Sequence, residues 1–303
     1  MIAFGTAIGE PEPYLRHAKP GIDAVAEPDS ARFTFAAVGP VARTYNLLLD
    51  AAAAHEDLEA LVLVHPFAEI ADPRFCEKIR AALRDPDVGV IGCAGGTGVH
   101  SVAWWEGTVV AGSAIQRYGQ HGGGEMPPYS WTDVRPAPAE VDTVDGWVLV
   151  LSPWAVRTIR FDERLGHSHG YDVDYCRQVR DAGRKVMVED LRVIFHRTLD
   201  ISDDFEIWIE GHIRFAEKWE DGMADLDPDD DAWKQRARRA EAEREAARAI
   251  AYSHALGVDA RILEMQRVVD EKTATTSWRL TAPLRRLNRL RALAMQRRDQ
   301  RRA

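Results

Sequence analysis

Cysteine is scarce in this 303-residue sequence: only Cys76, Cys93 and Cys176 are present. They are odd in number and widely spaced, which excludes a disulfide framework or a cysteine-rich zinc site and suits a reducing compartment. No run of about 20 apolar residues occurs, so no membrane-spanning helix is expected. The opening MIAFGTAIGEPEP has no basic leader and turns at once to Glu and Pro. It reads as a first strand rather than a signal peptide. Internal repeats are absent. GCAGGTG (92–98) lacks the Lys-Ser/Thr ending of a phosphate-binding loop and no clear helix follows it, so it reads as a turn.

With 46% hydrophobic residues and 9 Trp, the chain has the material for a sizeable core. One large domain with an appendage is the natural expectation. The net charge of −9 is unevenly spread. Residues 1–230 hold 21 basic and 39 acidic residues, whereas residues 231–303 hold 18 basic and 9 acidic. An acidic body with a basic tail suggests two kinds of partner. Nucleic acid is disfavoured, because the body would repel phosphates.

Along residues 1–220, strand-like and helix-like stretches alternate. IAFGTAI (2–8), LEALVLVH (58–65) and VGVIGCAG (88–95) are short and apolar, as buried strands are. AVGPVARTYNLLLDAAAAH (37–55) runs into an Ala/Leu helix. DPRFCEKIRAALRD (72–85) has Asp as N-cap and Pro at the first helical position. This alternation predicts a parallel sheet wrapped by helices. SVAWWEGTVVAG (101–112) suits a strand pair, and GQHGGGEMPPYSW (119–131) a long loop or lid. VDTVDGWVLVLSPWAV (141–156) reads as strand, turn and helix start; 174–183 as a helix closed by Gly183; 184–190 as a strand; and 203–220 as an amphipathic helix. DGMADLDPDDD (221–231) reads as an acidic linker. The rest, 232–303, reads as a helical basic tail with one helix over 232–256 and another over roughly 259–272.

Four stretches together resemble a GT-A glycosyltransferase of the family 2-like group. TYNLLLDAAAAHEDLEALVLVH (44–65) is similar to the helix and strand that lead to that family's metal motif. VDTVDGWVLVLSPWAV with FDE (141–163) is similar to its acceptor-side Asp-Gly turn and the helix after it. HGYDVDYCRQVRDAGRKVMV (169–188) is similar to its Glu-Asp-x-Asp helix, with Tyr171 where Glu is usual. VIFHR (193–197) is similar to the strand that ends in His.

The resemblance implies an α/β GT-A fold and an inverting transfer of sugar from a nucleotide-sugar donor to a hydroxyl of a glycan or lipid-linked acceptor. Such chemistry needs a carboxylate base within hydrogen-bond reach of that hydroxyl. By the family pattern this is Asp172, while Asp174 is left to cap the helix; capping is the bland alternative for both. Asp145, Gly146, Trp147, His169 and Tyr171 fall on the acceptor side. An Asp-Gly pair is also an ordinary turn, and Trp147 and Trp131 in apolar strands are equally core residues. Thr6, Glu27, Arg43, Asn46 and Asp142 are the donor-side candidates, since nucleotides bind at the carboxyl ends of the first strands.

The departing diphosphate is usually met by a divalent cation on an Asp-x-Asp motif. Here HPFAEIAD (65–72) stands in that place without those aspartates. Three readings stay open. Glu69 and His196 hold Mn²⁺ or Mg²⁺; or catalysis is metal-free, with a cation such as Arg43 on the phosphates; or activity is lost and a sugar-binding subunit remains.

TTSWRLTAPLRRLNRLRALAMQRR (275–298) resembles the Ser-Trp-Arg-x-Thr-x-Pro-Leu-Arg tail of bacterial cell-surface glycosyltransferases. Residues 273–303 carry nine arginines and one acid, with Leu280, Leu284 and Leu287 on one helical face. Docking on an anionic inner membrane leaflet, and hence a cytoplasmic, peripheral location in surface-polysaccharide assembly, is one expectation; helix-mediated oligomerisation or a membrane or partner adaptor role is another.

Overall fold

The computed structural model describes residues 1–117, 129–131, 137–165, 168–197, 205–219 and 228–281. Three apolar runs seed its main sheet: β1 (Ile2–Ile8), β3 (Ala60–Val64) and β5 (Val88–Gly92). Between and beside them lie β2 (Arg32–Ala36), β10 (Ala139–Val141), β12 (Val148–Leu151) and β13 (Lys185–Val188). Their order is β10-β13-β5-β12-β3-β1-β2. β2, β1, β3, β5 and β13 run one way; β12, inserted between β3 and β5, and β10, at the edge, run the other. The expected mostly parallel α/β sheet flanked by helices is therefore present.

Strands covered on both faces are apolar at every position, and ALVLV, VGVIG and VLVL are buried throughout. Side chains nevertheless alternate. Leu61, Leu63, Leu149 and Leu151 face a core layer with Tyr45, Leu48 and Leu49 of helix Val41–Ala53 and with Val179 of helix Tyr171–Asp181. Val62, Val64, Val148 and Val150 face the opposite layer with Ile22 of helix Lys19–Val25 and Phe75 and Ile79 of helix Phe75–Ala82.

Two small sheets crown the carboxyl edge. β6 (Ala94–Thr97) lies between β7 (Val109–Gly112) and β11 (Thr143–Val144). β4 (Ala68–Ile70), β14 (Val193–Phe195), β8 (Ala114–Gln116) and β9 (Tyr129–Ser130) form the other, in that order.

Several expectations need correction. Over 101–112 there is one strand, β7, preceded by a single 3₁₀ turn at Trp104–Glu106, because Trp104 folds back into the core. The helix expected from Pro73 begins at Phe75: the Asp72 carboxylate accepts from the Arg74 amide at 2.9 Å and holds a turn there. Of the loop at 119–131, residues 119–128 lie outside the described residues.

The chain forms two compact units, Met1–Leu256 and Gly257–Ala303. Among the described residues, a single helix, Pro228–Ala274, stands in place of the two expected over 232–256 and 259–272, and a short one, Thr276–Leu280, follows it. The helix begins within the stretch expected to be a linker, whose residues 221–227 lie outside the description. Ala242 and Ala246 are buried in a third cluster with Trp208, Ile209 and Phe215 of helix Phe205–Trp219. Arg239 pairs with Glu206 at 3.0 Å across the same contact. The first unit thus extends well past residue 220. No described helix is long and apolar enough to cross a membrane, and the tail residues from 282 onward lie outside the description.

Candidate active site

The turn between β11 and β12 sits at the carboxyl end of β3, because Val148 pairs with Val64. Its Asp145 is consumed locally: one carboxylate oxygen accepts from the Trp147 amide at 2.9 Å, the other from the Trp104 indole. The next residue must be glycine. A Cβ on Gly146 would stand 2.1 Å from the Tyr171 hydroxyl oxygen. With no side chain in the way, the Gly146 amide points at Asp172 and donates to Oδ2 at 2.9 Å.

Asp172 is the second residue of helix Tyr171–Asp181, entered through Gly170 at φ 81°. Its Oδ1 accepts from the Val173 amide at 2.9 Å. Two amides therefore pin the carboxylate in one orientation. Burial lifts its pKa from 3.8 to about 6, with the amide bonds from Val173 and Gly146 pulling back. A carboxylate of that basicity is suited to taking a proton near neutral pH. It lines a cavity of about 130 Å³, together with His65, Asp145, Trp147, His169 and Tyr171. The Tyr171 ring meets Tyr45 edge-on with centroids 5.3 Å apart; burial pushes Tyr45 up to about 12 and Tyr171 well above its ordinary value, so both stay protonated.

The rear of the cavity is aromatic. Trp147 stacks on Phe195 with centroids 4.7 Å apart and 14° between planes, and meets Trp104 edge-on at 6.1 Å. Trp147, 5% exposed, still borders the cavity, whereas Trp131, 2% exposed and 4.9 Å from Trp104, belongs to the core.

His65 is fixed by its fold position at the end of β3. Burial, with Arg197 nearby, drives its pKa down to about 3, so it is neutral. Its Nδ1 accepts from the Phe67 amide at 3.3 Å, which assigns the proton to Nε2. Beyond Phe67, antiparallel pairing of β4 and β14 sets Ile194 opposite Glu69 and brings His196 alongside. His196 Nε2 and Glu69 Oε2 are 2.6 Å apart. His17 stacks on His196 with centroids 3.9 Å apart. One ligand atom from each of the three lies within 4.8 Å of the others. The His17 and His196 rings lie 16° from parallel, so one ring must turn before both nitrogens reach a common ion; with that turn, two imidazoles and a carboxylate are a competent donor set. The residues fit a divalent cation.

The donor-side expectations fare differently. Thr6, 1% exposed, lines a separate hollow with Lys19, Asp23 and Arg32, and its hydroxyl has no hydrogen-bond partner among the described residues. Glu27 lies at the amino ends of the strands, away from the cavity, in a two-pronged pair with Arg80 at 2.7 and 2.5 Å; Arg80 also holds Glu59, which precedes β3. Arg43 is paired with Glu163 at 2.9 Å. Asn46 both donates to and accepts from the Phe161 backbone at 3.0 Å, tying its helix to that loop. Asp142 accepts from the Gly98 amide at 2.6 Å and pairs with Arg180 at 2.8 Å beside a different pocket. Asp174 is structural but does not cap: fully buried, it accepts from Lys218 at 2.7 Å, Trp219 at 2.9 Å and Gln178 at 2.8 Å, anchoring helix Phe205–Trp219.

The structure thus gathers Asp145, Gly146, Trp147, His169, Tyr171 and Asp172 around one cavity, and Glu69 with His196 in one cluster. It does not gather Thr6, Glu27, Arg43, Asn46 and Asp142 there. Sequence reasoning missed His17, Tyr45 and Trp104; only the Trp104-Trp105 pair carried a visible signal, since adjacent tryptophans rarely both face solvent.

Comparisons with known proteins bear on this arrangement. The model of a glycosyltransferase-like family matches residues 22–216. The streptomycin biosynthesis protein StrF of Streptomyces griseus is 31% identical over 205 residues, which is 65% of this chain and 66% of that protein. Among solved structures, the mannosyltransferase PcManGT from Pyrobaculum calidifontis, in complex with GDP-Man and Mn²⁺, superposes with a TM-score of 0.45 at 14% identity, over 92% of this chain and 81% of its own. GalNAc-T7 with UDP, GalNAc and Mn²⁺ gives 0.48 at 9% identity, over 73% and 48%. The extent of the family match settles membership: this chain belongs to the glycosyltransferase-like family.

Proposed function

We propose that the protein is an inverting glycosyltransferase that moves a sugar from a nucleotide-sugar donor to an acceptor hydroxyl, with Asp172 as general base. The observation that carries this is the Asp172 carboxylate, raised to about 6 and held by two amides on a cavity wall. The acceptor oxygen attacks the anomeric carbon as its proton passes to Asp172. The bond from that carbon to the diphosphate breaks, and its electron pair leaves with the nucleoside diphosphate. Trp147 offers an apolar surface for a sugar ring. Asp145, already committed to Trp104 and Trp147, shapes the turn that aims the Gly146 amide. Glu69 and His196 would hold a divalent cation, Mn²⁺ or Mg²⁺, which when bound neutralises charge developing on the diphosphate. Thr6 stays a donor candidate, because a buried hydroxyl with no partner among the described residues favours a ligand that supplies one.

For the acceptor we favour a glycan or lipid-linked glycan in cell-surface polysaccharide assembly. The basic segment 273–303 would hold the enzyme on the cytoplasmic face of a membrane, at about 1 kcal/mol per basic residue near an anionic surface. A second reading, a soluble small-molecule acceptor, is favoured by the likeness to a streptomycin biosynthesis protein. In this reading the catalytic body includes the first part of helix Pro228–Ala274, whose Ala242 and Ala246 pack with Trp208, Ile209 and Phe215, and the basic tail follows.

The test is a thermal-shift panel of UDP-, GDP-, CDP- and dTDP-sugars with and without Mn²⁺ and EDTA, followed by turnover of whichever donor binds. A ligand that binds the native state raises the melting temperature. Stabilisation by one donor, with nucleoside diphosphate release lost in Asp172→Asn, is the expected result. Stabilisation without turnover identifies a sugar-binding subunit; no stabilisation by any donor overturns the proposal.

A further inference from the structure

Resting on the reading above that a cation serves this fold, we propose that its site is a three-ligand one, with His17 joining Glu69 and His196, and that it selects a divalent transition ion over Mg²⁺. The three residues come from three elements. His17 belongs to a π-helical turn, Tyr14–Ala18, set between α-helical Pro11–Pro13 and Lys19–Val25. Glu69 is in β4 and His196 follows β14.

The docking of the first element is specific. A Cβ on Gly21 would stand 2.5 Å from the Ile70 amide nitrogen and 3.2 Å from its carbonyl oxygen. Glycine there lets the helix lie directly on the backbone of β4. His17, four residues upstream, is thereby carried over Glu69, whose neighbour Ile70 makes that contact. The π turn widens the backbone locally, and such turns occur often at functional sites. His17, Glu69 and His196 are each only partly buried, so an ion has access. Phe67, 6.3 Å from His17, and the Arg197 guanidinium, 5.0 Å over Phe67, separate this cluster from the Asp172 cavity, where His65 is Phe67's other aromatic neighbour. The cluster therefore stands one ring away from the reaction space.

The donor chemistry decides the ion. Mg²⁺ demands oxygen ligands and gives up its water reluctantly, so two imidazoles offer it little. Mn²⁺, Co²⁺ and Zn²⁺ accept imidazole nitrogen readily, with affinity rising along the first-row series. HPF in place of an Asp-x-Asp motif thus marks a replaced donor set, from oxygen-rich to nitrogen-rich.

The experiment uses the full-length protein, stripped with chelator and free of any donor. Co²⁺ is titrated in by visible absorption and calorimetry, then challenged with millimolar Mg²⁺. His17→Gln and Glu69→Gln are compared with His55→Ala, a histidine outside the cluster. Melting temperatures in EDTA verify that each variant is folded. The expected result is one Co²⁺ per chain with ligand-field bands, unmoved by Mg²⁺, weakened roughly 100-fold or more by either cluster substitution and unchanged by His55→Ala. Equal Co²⁺ affinity in folded His17→Gln, or displacement by Mg²⁺, overturns the assignment. Absence of Co²⁺ binding in a wild type that still binds a nucleotide sugar in EDTA overturns this inference alone. Failure to bind any nucleotide sugar, with Co²⁺ binding intact, overturns only the glycosyltransferase reading.

Discussion

Replacing Asp172 with Asn should abolish transfer and at the same time stabilise the protein. In the folded state burial raises this carboxyl from 3.8 to about 6, so its ionised form is disfavoured there relative to the unfolded chain. The sign follows from proton linkage. Below the unfolded value the group is protonated in both states and costs nothing; as pH rises through about 6 the cost becomes complete. That step corresponds to about 3 kcal/mol at most. Solvent entering through the cavity mouth lowers the figure. Asn can accept from only one of the two amides, from Gly146 or from Val173, which gives back about 1 kcal/mol. A net gain of about 1–2 kcal/mol remains. For a unit the size of Met1–Leu256 this is a rise of about 2–4 °C in melting temperature. The assay is thermal unfolding of both proteins at about pH 8 and about pH 4.5, with the advantage of Asn present at the higher pH and largely gone at the lower. Nucleoside diphosphate release should fall by about 10²–10⁴-fold. A variant that is less stable at the higher pH, or a difference that does not depend on pH, refutes the argument that this carboxylate is held at a cost to the fold.

Gly146→Ala should lose activity and stability together, because its new methyl meets the Tyr171 hydroxyl at 2.1 Å; Tyr171→Phe in the same chain should restore part of the stability, read by urea unfolding. Asn46→Ala should cost about 2–3 kcal/mol, since it orphans backbone groups of Phe161, yet leave the donor KM unchanged; a raised KM with unaltered stability would restore Asn46 to the donor site. Truncation after residue 256 should leave the melting temperature of the body unchanged, whereas truncation after 231 should lower it by several degrees and promote aggregation, because Ala242 and Ala246 would no longer cover Trp208, Ile209 and Phe215. Analytical ultracentrifugation with thermal scans of the two truncations checks this.

What was legible in the sequence was what local spacing controls. Apolar runs of five to seven residues gave the buried strands, and an Asp-Gly pair before VLVL gave the turn. Gly-Tyr-Asp-Val-Asp gave a helix mouth with a carboxylate on it. The Asp172 cavity follows, since β12 returns beside β3 and carries the turn to that helix. Glu27 stands at the opposite end of the sheet from the carboxyl ends where nucleotides bind. A residue just before a parallel strand stands at the strand's amino end, and β2 begins at Arg32. Asn46 and Asp142 looked like donor ligands because polar residues near helix and strand ends serve backbone and ligand alike, and only coordinates tell the two apart. His17 had no periodic signal at all. Its place depends on a π turn and on the absence of a side chain at Gly21, both of which matter only once β4 lies against the helix.

The most direct measurement of the central claim is the pH dependence of nucleoside diphosphate release under kcat/KM conditions with a donor that binds. His65, held near 3, stays neutral throughout the working range and adds no break. The account predicts a rate that rises about tenfold per pH unit in the acid range and levels off near pH 6. A profile that is flat through that region, or turnover by Asp172→Asn equal to that of the wild type, would contradict it.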